Sequence, residues 1–94
     1  MECENLEEVR HNIDRIDGEI IQLIAERGAY VRQAARFKKD GEDVKAPQRV
    51  EAVVQKTRLL AAQHGANPDM IEKLYRDMIE GFIRLEMNAF QENG

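Results

Sequence analysis

Between Leu6 and Phe37 an apolar residue returns at alternating steps of three and four: Leu6, Val9, Ile13, Ile16, Ile20 and Leu23, then Arg27, Tyr30, Ala34 and Phe37. That spacing gathers the side chains onto one stripe of a helix, and no proline interrupts it. Gly18 and Gly28 are the weak points. The stripe predicts one long helix over about residues 5–39, packed along its length against other helices. Arg27 breaks the pattern, because a guanidinium is almost never fully buried unless something anionic meets it. Whatever meets Arg27 is the first pointer to function.

Length turns this into a statement about assembly. A helix of that span is about 50 Å long, whereas a compact chain of this size has a radius of gyration of about 12 Å. The rest of the chain cannot cover it. A second copy must bury the overhang, so the sequence predicts an obligate homodimer in which the long helices pack together.

Asn5 is a suitable N-cap, and Glu7 and Glu8 stand in the first turn, where the helix dipole favours negative charge. After Lys39 the run DGEDVKAP carries an Asp40-Gly41 turn signal, which predicts a loop over 40–46. Pro47 suits the first turn of a second helix over 47–64, with Val50, Val53, Val54, Leu60 and Ala61 at helical spacing and Gly65 just past its end. Asn67-Pro68-Asp69 opens a third helix over 68–91, whose wide apolar face runs from Ile71 through Phe82 and Ile83 to Phe90. Glu86 interrupts that face. The expected fold is all-α: one domain over 1–94, three helices per chain, one long and two medium, forming an intertwined homodimeric bundle.

Composition excludes several functions. The net charge of -4 and the dispersed basic residues argue against nucleic acid as a partner. Cys3 is the only cysteine, so no intramolecular disulfide framework exists, and a reducing cytosol fits. The acidic start MECENLEEV lacks a basic n-region and an apolar h-region, and no apolar run approaches the ~20 residues of a membrane span. An unprocessed cytoplasmic protein without membrane contact is expected. His11 and His64 stand on different segments, which offers no metal-ligand spacing, and no Gly-rich phosphate loop is present. Neither metal nor cofactor is expected.

Four cations remain to be placed: Arg10, Arg27, Lys38 and Arg49. On a continuous helix Arg27 and Lys38 share one face about 16 Å apart, so their long side chains can converge on one small ligand. Arg10 lies about 25 Å from Arg27 along the axis and cannot reach that ligand within its own chain. Antiparallel or crossed pairing of two long helices brings the partner's Arg10 beside Arg27. Arg49 sits in the first turn of the second helix, where positive charge is disfavoured unless it points at an anion. A purely structural reading stands beside this one, with seam-edge arginines snorkelling and Arg27 paired to Glu86. Pattern alone gives a dimeric helical bundle with a cationic pocket.

The motifs add to it. VRHNIDRIDGEIIQLIAERGAYV, the AARFK segment, APQRV and MIEGFIRLEM, in this order and spacing, resemble the all-helical chorismate mutase family, which includes the isochorismate pyruvate lyases. The resemblance runs from Leu6 to about Phe90. It implies that Arg10 crosses the dimer interface, that Arg27 and Arg49 hold the substrate's carboxylates or nearby groups, and that Lys38 meets the ether oxygen and a carboxylate. Glu86 stands where the family places a side-chain donor to that oxygen. Val50 and Phe82 complete the implied substrate-binding set.

The chemistry implied explains why no familiar catalytic motif appears. Rearranging the dicarboxylate chorismate to prephenate is a concerted pericyclic step that needs no nucleophile or general base. The site has to select a compact conformer, which forked arginines do by gripping carboxylates, and to stabilise charge growing on the ether oxygen. Two departures qualify the match. Glu86 can donate only as the protonated acid, so activity should fall as pH rises through neutrality. Val50 stands where many mutases carry a glutamate for the substrate hydroxyl, which resembles the lyase branch acting on isochorismate. The mutase reading is preferred, with the lyase as alternative and a non-catalytic helical dimer as a further one.

Overall fold

The computed structural model describes residues 2–38, 40–41 and 45–93, with side chains as far as residue 88. Three helices build it: α1 over Leu6–Ala35, α2 over Pro47–Gln63 and α3 over Pro68–Asn93. No strand occurs among the described residues. The chain divides into two compact units, Met1–Gln33 and Ala34–Gly94.

In the first unit, α1 starts as its sequence dictates. The Glu8 N–H donates to Asn5 Oδ1 at 2.9 Å, and Glu8 Oε2 reaches back to accept from the Glu4 N–H at 2.8 Å, so one backbone donor of the first turn and one just before the cap are satisfied. Gly18 and Gly28 are both helical, and Gly28 is buried. The apolar stripe forms but stays bare in the single chain, with Ile13 51 % exposed, Ile20 47 % and Leu23 62 %.

The end of α1 corrects an expectation. The helix closes at Ala35 rather than near residue 39, and the backbone tightens into i to i+3 bonds, Phe37 N–H to the Ala34 carbonyl at 3.0 Å and Lys38 N–H to that of Ala35 at 3.2 Å. Phe37, within this turn, is 85 % exposed. The expected loop over 40–46 is also partly helical, at Gly41 and Lys45, while its residues 42–44 lie outside the described residues.

The second unit is built on the α2–α3 hairpin. Its turn is a Schellman motif: Gly65, at φ 75°, donates its N–H to the Ala62 carbonyl, and the Ala66 N–H bonds that of Ala61 at 2.8 Å. Asn67 Oδ1 then accepts from the N–H groups of Asp69 and Met70, capping α3 behind Pro68. Val54, Ala61 and Ile79 form the core, and full burial of Val54 contributes about 1.5–3 kcal/mol. Thr57 is buried with them, its hydroxyl donating to the Val54 carbonyl at 2.8 Å.

The two sides of this hairpin differ. On one, Arg58 Nη1 bonds Asp69 at 2.9 Å and Glu72 at 2.8 Å, Glu72 also takes Arg76 Nε at 2.8 Å, and Arg76 grips both oxygens of Glu51. On the other, Leu60, Met70, Leu74 and Leu85 are exposed at helical spacing. The hairpin therefore has a side closed by its own charges and a side whose apolar residues stay exposed.

Candidate active site

Glu86 is the anomaly that α3 carries into the hairpin unit. It falls on the face that also holds Phe82, one turn earlier, and its side chain is only 6 % exposed. Lys38 meets it: Nζ donates to Oε2 at 3.1 Å, from a side chain itself 21 % exposed. Such a pair is weak support for stability, because removing both charges from water costs about as much as their attraction returns. The pair is therefore a candidate for a role other than holding the fold.

The structural alternative read from the sequence matches Glu86 with Arg27. Glu86 takes Lys38 as a partner, and Lys38 reaches it from the non-helical segment after α1 rather than from a helix face. The expectation that Arg27 and Lys38 share one face of a continuous helix fails for the same reason, since α1 ends between them at Ala35. Sequence periodicity did not reveal the early end, because Phe37 fits the stripe whether or not the last turn tightens.

The antiparallel hairpin brings the start of α2 toward the later half of α3, the half that holds Phe82 and Glu86. Arg58 pairs early on α3 with Asp69 and Glu72, whereas Glu51 pairs further on with Arg76. Arg49 and Val50 lie at that start, Arg49 exposed and Val50 half-buried. The first turn of α2 holds no acid, and its cap, Ala46, makes no side-chain hydrogen bond. The positive end of a helix dipole favours an anion, and Arg49 stands in that first turn.

Arg10 and Arg27 belong to α1, where Arg10 is exposed and Arg27 half-buried. Because α1 is unbroken from Leu6 to Ala35, the two stand about 25 Å apart on one chain, beyond the reach of one small dicarboxylate. Phe90, expected beside Glu86, has its side chain outside the described residues. Among the described residues no cluster of histidine, cysteine or carboxylates could hold a metal, and no helix is long and apolar enough to cross a membrane.

The family described as chorismate mutase type II matches residues 9–87 of this chain. An isochorismate pyruvate lyase of Pseudomonas aeruginosa is 31 % identical over 91 residues, covering 97 % of this chain and 90 % of that protein. A chorismate mutase of Methanocaldococcus jannaschii is 30 % identical over 90 residues, covering 95 % and 91 %. A T-protein of Haemophilus influenzae is 39 % identical over 82 residues, which span 86 % of this chain and 21 % of that longer one.

Proposed function

The chain belongs to the chorismate mutase type II family, and from that premise we propose how its residues carry the rearrangement of chorismate to prephenate. Arg27, Arg49 and Arg10 of a second copy grip the substrate's carboxylates and hold the compact conformer, so that rotational freedom is lost on binding rather than at the barrier. Lys38 and Glu86 flank the ether oxygen whose bond to carbon breaks as the new carbon–carbon bond forms, and they stabilise the negative charge that collects there. Phe82 and Val50 line the pocket. The observation that carries this reading is the 3.1 Å contact between Lys38 Nζ and the buried Glu86. It joins the two groups the reaction needs at one oxygen. As an acid, Glu86 accepts from Lys38 on one oxygen and donates from the other.

The second copy follows from the bare stripe on α1 and the bare side of the hairpin, which a homodimer buries together. Sedimentation at micromolar concentration should give twice the chain mass, and a well-folded monomer would sink the proposal. The cytosol suits the reaction, since Cys3 has no second thiol in the chain.

A second reading is isochorismate pyruvate lyase, in which pyruvate leaves by a pericyclic hydrogen transfer on the same cations. Apolar Val50 after APQR favours it, as does the lyase relative at 31 % identity. Separate incubation with chorismate and isochorismate decides: prephenate supports the mutase, and salicylate with pyruvate supports the lyase. Neither product would leave a non-catalytic helical dimer.

A further inference from the structure

We propose that Gly41 and Met87 are positioning residues for the Lys38 ammonium: the Gly41 backbone seats on the Met87 thioether, and this seat sets how far Lys38 reaches toward Glu86. The proposal rests on Lys38 and Glu86 serving the reaction as described above. Lys38 has left α1, so no helix fixes its direction. What holds its segment to α3 is found three residues on.

A Cβ built at Gly41 would stand 3.2 Å from Met87 Cε, tighter than ordinary van der Waals contact, and 3.6 Å from its Sδ, in ordinary contact. Gly18, Gly65 and Gly81 have nothing within 4 Å of the same position. Gly41 does not owe its place to backbone freedom either, because Gly65 is the glycine with positive φ. The turn signal read from Asp40-Gly41 is thus not what this glycine supplies. It supplies a missing side chain, which lets the backbone settle against Met87. Met87 follows Glu86 directly on α3, so one residue receives the ammonium while the next supports the segment that delivers it. A side chain at position 41 lifts the segment at one point and draws the ammonium back at the other.

The test is a size exchange in the full-length protein: Gly41→Val, Met87→Ala and the two together, with Gly41→Ala as the milder variant should valine prevent folding. Limiting amine acylation, read by peptide mass spectrometry, gives the labelling of Lys38 relative to exposed Lys56. Gly41→Val should raise that ratio several-fold and lower kcat for chorismate about tenfold with less change in KM, since the lost contact is strongest in the transition state. The double variant should restore both toward wild type, which a general loss of stability would not do. Unchanged Lys38 labelling in Gly41→Val, or no restoration in a folded double variant, overturns the proposal. Should the wild type consume neither chorismate nor isochorismate, the functional reading falls, while the labelling arm still decides whether Gly41 and Met87 position Lys38.

Discussion

Glu86 shows how one residue can be legible as an anomaly while its partner is not. Its place on an apolar face marked it in the sequence, but periodicity did not name the group that meets it: only the family resemblance set Lys38 at the same oxygen, and α1 ends in tightened i to i+3 bonds before Lys38. Its proposed role has a signed consequence. The role needs a hydrogen-bond donor at the ether oxygen, which glutamine supplies and alanine does not. Glu86→Gln should therefore keep most of kcat for chorismate while Glu86→Ala lowers it by about 10²–10³; an equal loss in both variants rejects the role. Ala46 is a second case at this scale. It holds φ 37° directly before Pro47, a left-handed backbone that costs a side-chain-bearing residue about 1–2 kcal/mol. A glycine there would escape that cost but give part of the gain back through its freer unfolded chain. Ala46→Gly should therefore raise stability by about 0.5–1 kcal/mol in urea unfolding, and a loss would show that the strain is relieved elsewhere.

At the scale of elements the helix starts and the stop of α2 were written in the sequence, whereas the stop of α1 at Ala35 was not. Asn5, Pro47, Gly65 and Asn67-Pro68 each do what their chemistry requires, within a residue or so of the expected bounds. The lattice joining α2 to α3 was not legible, because pairs such as Glu51 with Arg76 are far apart in sequence and charges on exposed faces carry no period. Arg76 holds the Glu51 and Glu72 carboxyls below their ordinary range by hydrogen bonding, with Arg58 adding to the effect on Glu72. A lowered carboxyl stabilises the fold above its unfolded pKa, and that contribution is lost as pH falls through the folded value. Thermal unfolding followed by circular dichroism should thus be flat near neutrality and drop below the ordinary carboxylate range of about pH 4. Glu72→Gln removes the negative charge shared by both arginines, leaving one amide oxygen to accept. It should lower the melting temperature at pH 7 and shrink the acid-dependent part, and added salt should act in the same direction on the wild type. An acid profile identical in the variant would show that other carboxyls carry it.

For the molecule as a whole, the sequence foretold a helix too long for its own chain, and α1 indeed carries its stripe uncovered. The shared site proposed from this makes a complementation prediction. Arg10→Ala and Arg27→Ala should each be nearly inactive as pure proteins. After mixing and subunit exchange, half the dimers pair one variant with the other, and each such dimer rebuilds one intact site, so roughly a quarter of wild-type activity should return. Assays of the mixture against the separate variants decide, and no recovery after proven exchange would place Arg10 and Arg27 in the service of the same chain. The bare stripe from Leu6 to Tyr30 has one more implication. An enzyme whose pocket exists only while two polypeptides embrace carries its own gauge of abundance: serial dilution should erode turnover per chain, and a saturating substrate mimic, by clasping both halves, should postpone that decline to scarcer protein.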